Sequence, residues 1–170
     1  MATPRAKLYP SPLAYDDATR AALVAAISTL AVDVQSLAAS ARLAHWSVRG
    51  PLTRPLHDAF GAFYDTLAAE ADTLSEYVRL LGAQPVGTVA DVAAASRLPG
   101  YPAATVDGLA HCAALFDASR AFLAFADAAA TTCNDEGAPD ALDLVTATIE
   151  AVGKAAGFIG DHLVTAEGAA

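Results

Sequence analysis

The chain has 170 residues, of which 55% are hydrophobic and only 17% charged, and its net charge is −9. That length suits one domain with a substantial core. So low a charge content leaves apolar surface for other subunits to cover, and the acidity excludes a general nucleic-acid binder, which needs a basic face.

No membrane span or leader is expected. The uncharged stretch 21–32 is shorter than the roughly 20 apolar residues a span requires. The opening "MATPRAKLYPSP" has basic residues with no apolar run behind them. The expected compartment is the cytoplasm.

Residues 1–15 read as a flexible tail, and 16–167 as one helical domain. In the first helix Leu23, Ile27, Leu30, Val34, Leu37 and Ala41 recur at steps of three and four, with Asp16 or Asp17 as its cap. The connection 47–54 is short, so the second helix folds back as an antiparallel hairpin. Thr53 with Pro55 in the first turn can start it; Leu56, Phe60, Phe63, Leu67, Leu74 and Val78 share its apolar stripe, and Gly82 stops it. The middle link is long, and Thr88 with Asp91 matches a capping box before "VAAAS", so a short helix is expected there. The third helix runs from about 106 to 133 with Thr105 as its cap. The fourth begins at Pro139, with Asp140 at the positive end of its dipole. Two helical hairpins joined by a long crossover give an all-α, ferritin-like four-helix bundle with a short extra helix in the middle.

Cys112 and Cys133 fall on one helix, about 30 Å apart, so both read as free thiols. Cys112 is expected in the core and Cys133 near a helix end. His111 and His162 have no ligand partner at useful spacing and read as structural or surface residues.

The chemistry sits on the first hairpin. Asp72 and Glu76, four apart, project from one helix face beside Leu74 and Val78. An ordinary solvated acidic pair, with Arg79 as partner, is the plain alternative. His45 and His57 flank the turn next to Trp46, the one tryptophan. Imidazoles with carboxylates suit iron, zinc or manganese. Yet His57 and Asp72 are 15 residues apart on one helix, about 22 Å, so the four cannot share a metal within one continuous helix. They meet only if a second copy packs its second helix antiparallel across a two-fold axis, which makes two equivalent sites between chains.

The segment "HWSVRGPLTRPLHDAFGAFYDTLAAEADTLSEYVRLLGAQPVGT" resembles the Dps proteins, small ferritin-like iron-storage shells. His45, Trp46, Val48, Gly50, His57, Asp72 and Glu76 carry the resemblance. It implies a dodecameric homo-oligomer in which His45 and His57 of one chain and Asp72 and Glu76 of another bind ferrous iron. The iron is oxidised there, usually by hydrogen peroxide, and stored as a ferric mineral, which protects against oxidative damage. Trp46 corresponds to a tryptophan beside the site, an electron donor or radical trap; its plain alternative is packing at the hairpin end. The resemblance leaves association with the nucleoid open.

Two departures stand out. Where the family has a further iron-binding Asp, four residues beyond the second His, this chain has Gly61. Asp58 is turned about 100° from His57, and Asp65 lies about 12 Å further along, so neither substitutes easily. One firmer site is therefore expected, His45 with the partner's Asp72 and Glu76, and a weaker one using His57 and a shared Glu76. A non-catalytic, metal-sequestering cage is the competing reading. The termini are the second departure. Arg5 and Lys7 precede Asp16 and Asp17, and "TAEGAA" has no basic residue, so DNA binding is expected to be weak or absent. Around the fourth helix start, Asp135, Glu136, Asp140 and Asp143 are either capping and solvation or, for Asp140 and above all Asp143, the border of an iron-entry pore.

Overall fold

The computed structural model describes residues 7–164. Five helices form: α1 (Asp17–Ser47), α2 (Thr53–Leu80), α3 (Val89–Ala95), α4 (Gly108–Asp135) and α5 (Pro139–Asp161). Among the described residues there is no strand, only one isolated bridge between Arg49 and Asp107. Helices α1 and α2 pack as one hairpin and α4 and α5 as another, with α1 against α4, α2 against α5, and α3 laid on α1. This is the expected four-helix bundle with its short crossover helix.

The apolar stripes read for the first two helices are the core: Leu23, Ile27, Leu30, Val34 and Leu37 of α1 are fully buried, as are Phe60, Leu67 and Leu74 of α2. In α4 the expected stripe, Leu109, Cys112, Phe116, Ser119, Leu123 and Ala126, is core only in part: Cys112, Ser119 and Ala126 are fully buried, Leu109 is exposed, and Phe122, off that stripe, is the fully buried aromatic. Helices α1 and α4 are long and apolar enough to cross a membrane by length and composition; over half of that window is buried inside the bundle in α1, and less than half in α4. Cys112 and Cys133 are both free and fully buried; burial pushes each thiol up to about 11, so neither is a nucleophile at neutral pH.

Four helix starts follow the sequence. The Asp16 carboxylate accepts from the Thr19 amide at 2.8 Å, the Thr88 hydroxyl accepts from the Asp91 amide, and Pro139 opens α5. Thr53 is the first residue of α2, preceded by Leu52 as the cap residue, and its hydroxyl donates to the Gly50 carbonyl at 2.8 Å. One start differs. Helix α4 begins at Gly108, capped by Asp107 and not Thr105, whose hydroxyl only accepts from the Asp107 amide. The reason is tertiary. The Arg49 amide donates to the Val106 carbonyl at 2.9 Å, pinning Val106 to the α1–α2 turn before α4 can start. A side chain at Gly108 is excluded there, since its Cβ would lie 2.3 Å from Leu56 Cδ1.

Two long-range ties complete the frame. Asp33, fully buried in α1, accepts from the Arg97 backbone amide at 2.8 Å and from its guanidinium at 2.6 and 2.8 Å. Arg97 also stacks 4.1 Å from the Phe125 ring centroid, so one residue locks the crossover to α1 and α4. Asp33→Ala leaves the Arg97 backbone amide without its acceptor, while water still reaches the guanidinium; it is expected to cost about 1–3 kcal/mol in a urea unfolding curve, and a loss below about 0.5 kcal/mol contradicts this reading. The second tie is residues 7–15, read from the sequence as tail. The Tyr9 amide donates to the Gly82 carbonyl at 2.7 Å, the Ser11 hydroxyl to the Leu80 carbonyl at 2.7 Å, and Arg20 to the Tyr9 and Leu81 carbonyls. These bonds satisfy the open carbonyls at the end of α2. Gly82 (φ +90°) leaves no room for a Cβ, which would sit 2.4 Å from the Tyr9 oxygen. Residues 1–6 and 165–170 lie outside the described part, and with them Arg5 and the whole of "TAEGAA".

Candidate metal centre

The α1–α2 turn brings His45 and His57 face to face, with ring centroids 3.7 Å apart and planes 25° from parallel. Each ring is tied to the other's backbone. His45 Nδ1 donates to the His57 carbonyl at 2.7 Å, and His57 Nδ1 to the His45 carbonyl at 2.8 Å. A carbonyl only accepts, so both Nδ1 atoms hold the proton and both Nε2 atoms keep a free lone pair. This is the anchoring that metal-binding imidazoles have, with tautomer and orientation fixed from behind. Both side chains are half-buried.

Gly61 is part of this arrangement. A Cβ there would meet His45 Nδ1 at 3.1 Å and Cε1 at 3.2 Å, so the His45 ring lies directly on the α2 backbone at that point. Trp46 is 64% exposed and does not pack into the hairpin end. The Arg42 guanidinium sits 5.0 Å from the Trp46 ring centroid and 4.9 Å from that of Tyr64, and donates to the Tyr64 hydroxyl at 3.0 Å. Arg42 and Tyr64 were not singled out from the sequence. The i, i+4 spacing of Arg42 and Trp46 was the available signal; Tyr64 joins only through the helix pairing.

Asp72 and Glu76 lie exposed on one face of α2 and make no hydrogen bond or ion pair among the described residues, so Arg79 does not neutralise them. The third acid of that helix region behaves differently: Glu70 accepts from the buried Thr148 hydroxyl at 2.7 Å. Helix α2 is continuous from Thr53 to Leu80, which keeps the imidazoles and the Asp72–Glu76 pair about 22 Å apart in one chain. Among the described residues, no group of three or more His, Cys, Asp or Glu within the chain is arranged to hold a metal. Each chain thus carries two separate donor sets: oriented nitrogen donors at one end of α2 and unpaired oxygen donors at the other. Asp58 is taken by Arg54 in an ion pair at 2.8 Å.

The acids around α5 separate. Asp140 accepts hydrogen bonds from Tyr15 and from Tyr77, the latter at 2.8 Å. Burial pushes its carboxyl up, but the two phenols outweigh that and hold it below the usual carboxylate range. Hydrogen bonding to Asp140 in turn pushes the Tyr15 phenol up to about 12. Asp140 is therefore a latch between residues 7–15, α2 and α5. Asp135 and Asp143 are exposed.

His162 is exposed at the end of α5. His111 is fully buried, receives the Tyr101 hydroxyl at Nδ1 at 2.6 Å, and has no hydrogen-bond partner at Nε2. Burial pushes its pKa below 6.5, against the opposing pull of the Thr105 carbonyl and Asp107. Below pH about 6.5 the unfolded chain takes up a proton that the folded one refuses. His111 thus costs stability as pH falls, by up to about 1.4 kcal/mol per unit. Urea titrations between pH 7.5 and 5.5 are expected to show this slope and to flatten in His111→Phe; an unchanged slope contradicts it.

The ferritin-like domain family matches residues 25–169. The DNA protection during starvation protein of Agrobacterium fabrum is 26% identical over 130 residues, covering 76% of this chain and 80% of that one. The DNA protection during starvation protein 2 of Deinococcus radiodurans is 32% identical over 84 residues, covering 49% of this chain and 35% of the longer relative. Among solved structures, DpsC from Streptomyces coelicolor superposes with TM-score 0.89 at 23% identity, covering 94% of this chain and 93% of that one. The Dps of Vibrio cholerae O1, described as one of the ferritin-like diiron-carboxylate proteins, superposes with TM-score 0.84 at 20% identity, covering 93% and 99%. The chain therefore belongs to the ferritin-like domain family, and in sequence and helical frame it is similar to Dps proteins.

Proposed function

We propose that this protein is the subunit of a closed homo-oligomeric shell, a dodecamer, that oxidises ferrous iron with hydrogen peroxide at sites shared between chains. The ferric product is stored inside, and the removal of both reagents protects the cell from oxidative damage. Membership of the ferritin-like domain family and similarity to Dps proteins support iron storage and oxidative protection in general. The observation that carries the catalytic reading is the pair of reciprocal Nδ1–carbonyl bonds, which leave two Nε2 donors free with no carboxylate of their own chain in reach.

Iron is here the substrate. His45 with the partner's Asp72 and Glu76 forms the firmer site. His57 with a shared Glu76 forms a weaker one, because Gly61 supplies no ligand. Zinc or manganese fits the same nitrogen and oxygen donors. Peroxide needs two electrons to become water, and two ferrous ions held side by side supply one each. Trp46, exposed next to His45, is placed to act as an electron donor or radical trap. The second reading, a metal-sequestering cage without catalysis, is favoured by Gly61 alone.

Peroxide-dependent loss of ferrous iron separates the two. Wild type is expected to consume it far faster than the His45→Ala, Glu76→Ala double mutant; equal rates would leave the cage. Of the two acids considered for iron entry, Asp143 is the better pore candidate, since Asp140 is held by two tyrosines. With a net charge of −9, DNA binding at about 150 mM salt is weak or absent. The cytoplasm is the proposed location.

A further inference from the structure

A series of rings runs from the histidine pair to the crossover. His45 stacks on His57 with centroids 3.7 Å apart. Phe60, one turn beyond His57 on α2, meets His111 edge-on at 6.0 Å, and His111 stacks on Tyr101 at 5.8 Å and 15° from parallel. The series ends in a hydrogen bond from the Tyr101 hydroxyl to His111 Nδ1 at 2.6 Å. The phenol is the better proton donor of the two, so Nδ1 holds the lone pair and Nε2 the ring proton. Burial pushes the Tyr101 phenol up. It therefore keeps its proton, and an electron leaves it only if the proton leaves too.

We propose that Tyr101 is a redox-active tyrosine, which gives an electron to a radical formed at the metal centre while His111 takes its phenolic proton. The inference rests on the radical-trapping role proposed for Trp46 and adds where the hole goes. Peroxide and a single ferrous ion give ferric ion, hydroxide and a hydroxyl radical. That radical takes a hydrogen atom from Trp46 and becomes water. The Trp46 radical then takes an electron from Tyr101 and a proton from water beside it, and is indole again. Tyr101 is left as a neutral phenoxyl, and its proton crosses to Nδ1, making His111 an imidazolium. Burial opposes that charge; the Thr105 carbonyl and Asp107 favour it. A phenol with a base at its proton is easier to oxidise than an indole, so the hole ends at Tyr101. The other four of the five tyrosines lack a neutral base. Tyr9 lies under the Lys7 ammonium and Tyr64 accepts from Arg42, and a neighbouring cation opposes loss of an electron. Tyr15 and Tyr77 share the Asp140 carboxylate, whose pKa lies below the usual carboxylate range and which is a weaker base than an imidazole.

Electron paramagnetic resonance tests it. Ferrous-loaded protein given one equivalent of peroxide and frozen within seconds is expected to show a tyrosyl radical that is lost in Tyr101→Phe and kept in Tyr77→Phe. Mass spectrometry of the same samples is expected to find more oxidised Trp46 in Tyr101→Phe than in wild type, a change that loss of a merely structural hydroxyl would not produce. Metal-free protein oxidised by a photo-excited ruthenium complex with persulfate is expected to give the same radical, again lost in Tyr101→Phe. A tyrosyl signal undiminished in Tyr101→Phe, or no signal from wild type with either oxidant, overturns the inference. Rapid iron loss without a Tyr101 signal removes only this inference; a Tyr101 signal under light with no iron oxidation removes only the ferroxidase reading.

Discussion

A chain carrying His45→Ala and a chain carrying Glu76→Ala are each expected to lose peroxide-driven iron oxidation by at least about 100-fold, yet a mixture assembled together regains about a quarter of the wild-type rate. The losses follow from removing a direct ligand, which costs more than the 10–100-fold typical of the groups behind the ligands. The recovery follows from symmetry. In a mixed pair, one interface receives both altered residues and is dead, while the other receives His45 from one chain and Glu76 from the other and is intact. Random pairing makes about half of the pairs mixed, and each of these has one working site of two, hence about a quarter. Ligands drawn from a single chain would give no recovery. Rates measured on co-refolded chains, with each mutant alone as baseline, decide this.

Restoring a carboxylate at position 61 is expected to convert one firm metal site per chain into two. Calorimetric titration of Gly61→Asp with zinc or anaerobic ferrous iron should show the second equivalent binding about tenfold or more tighter than in wild type, which corresponds to about 1.4 kcal/mol. Two effects compete. A Cβ at 61 stands 3.1 Å from His45 Nδ1, so the ring must yield by a few tenths of an ångström while keeping its bond to the His57 carbonyl. Against this, any residue with a Cβ removes the roughly 1 kcal/mol cost of glycine inside a helix. Gly61→Ala isolates the first effect: it should keep the first site and leave the second weak. Loss of the first site in Gly61→Ala would mean that the glycine serves to seat His45, and two equally tight sites in wild type would remove the asymmetry altogether.

The helices and their stripes were readable from the sequence because a period of three and four needs only the residues themselves. The cap at Thr105 was not, because the start of α4 follows a contact between distant loops, Arg49 with Val106. Residues 7–15 read as tail since nothing local orders them; their bonds go to the end of α2 and, through Tyr15, to Asp140, 125 residues away. For the site, the spacing of His45, His57, Asp72 and Glu76 was enough to show that the four cannot hold one metal within a chain whose second helix is continuous. It could not show that the imidazoles hold each other's carbonyls, which depends on how α1 and α2 pair. Nor could it show why a glycine stands at 61, where a ring from the neighbouring helix rests on the backbone.

Anomalous diffraction at the iron edge, from crystals soaked in ferrous iron, shows whether metal is held between chains. The expected result is a strong peak within coordination distance of His45 Nε2 and the carboxylates of Asp72 and Glu76 from a symmetry-related chain, with a weaker peak or none beside His57. Iron bound by residues of one chain only, or no peak at either histidine, would contradict it.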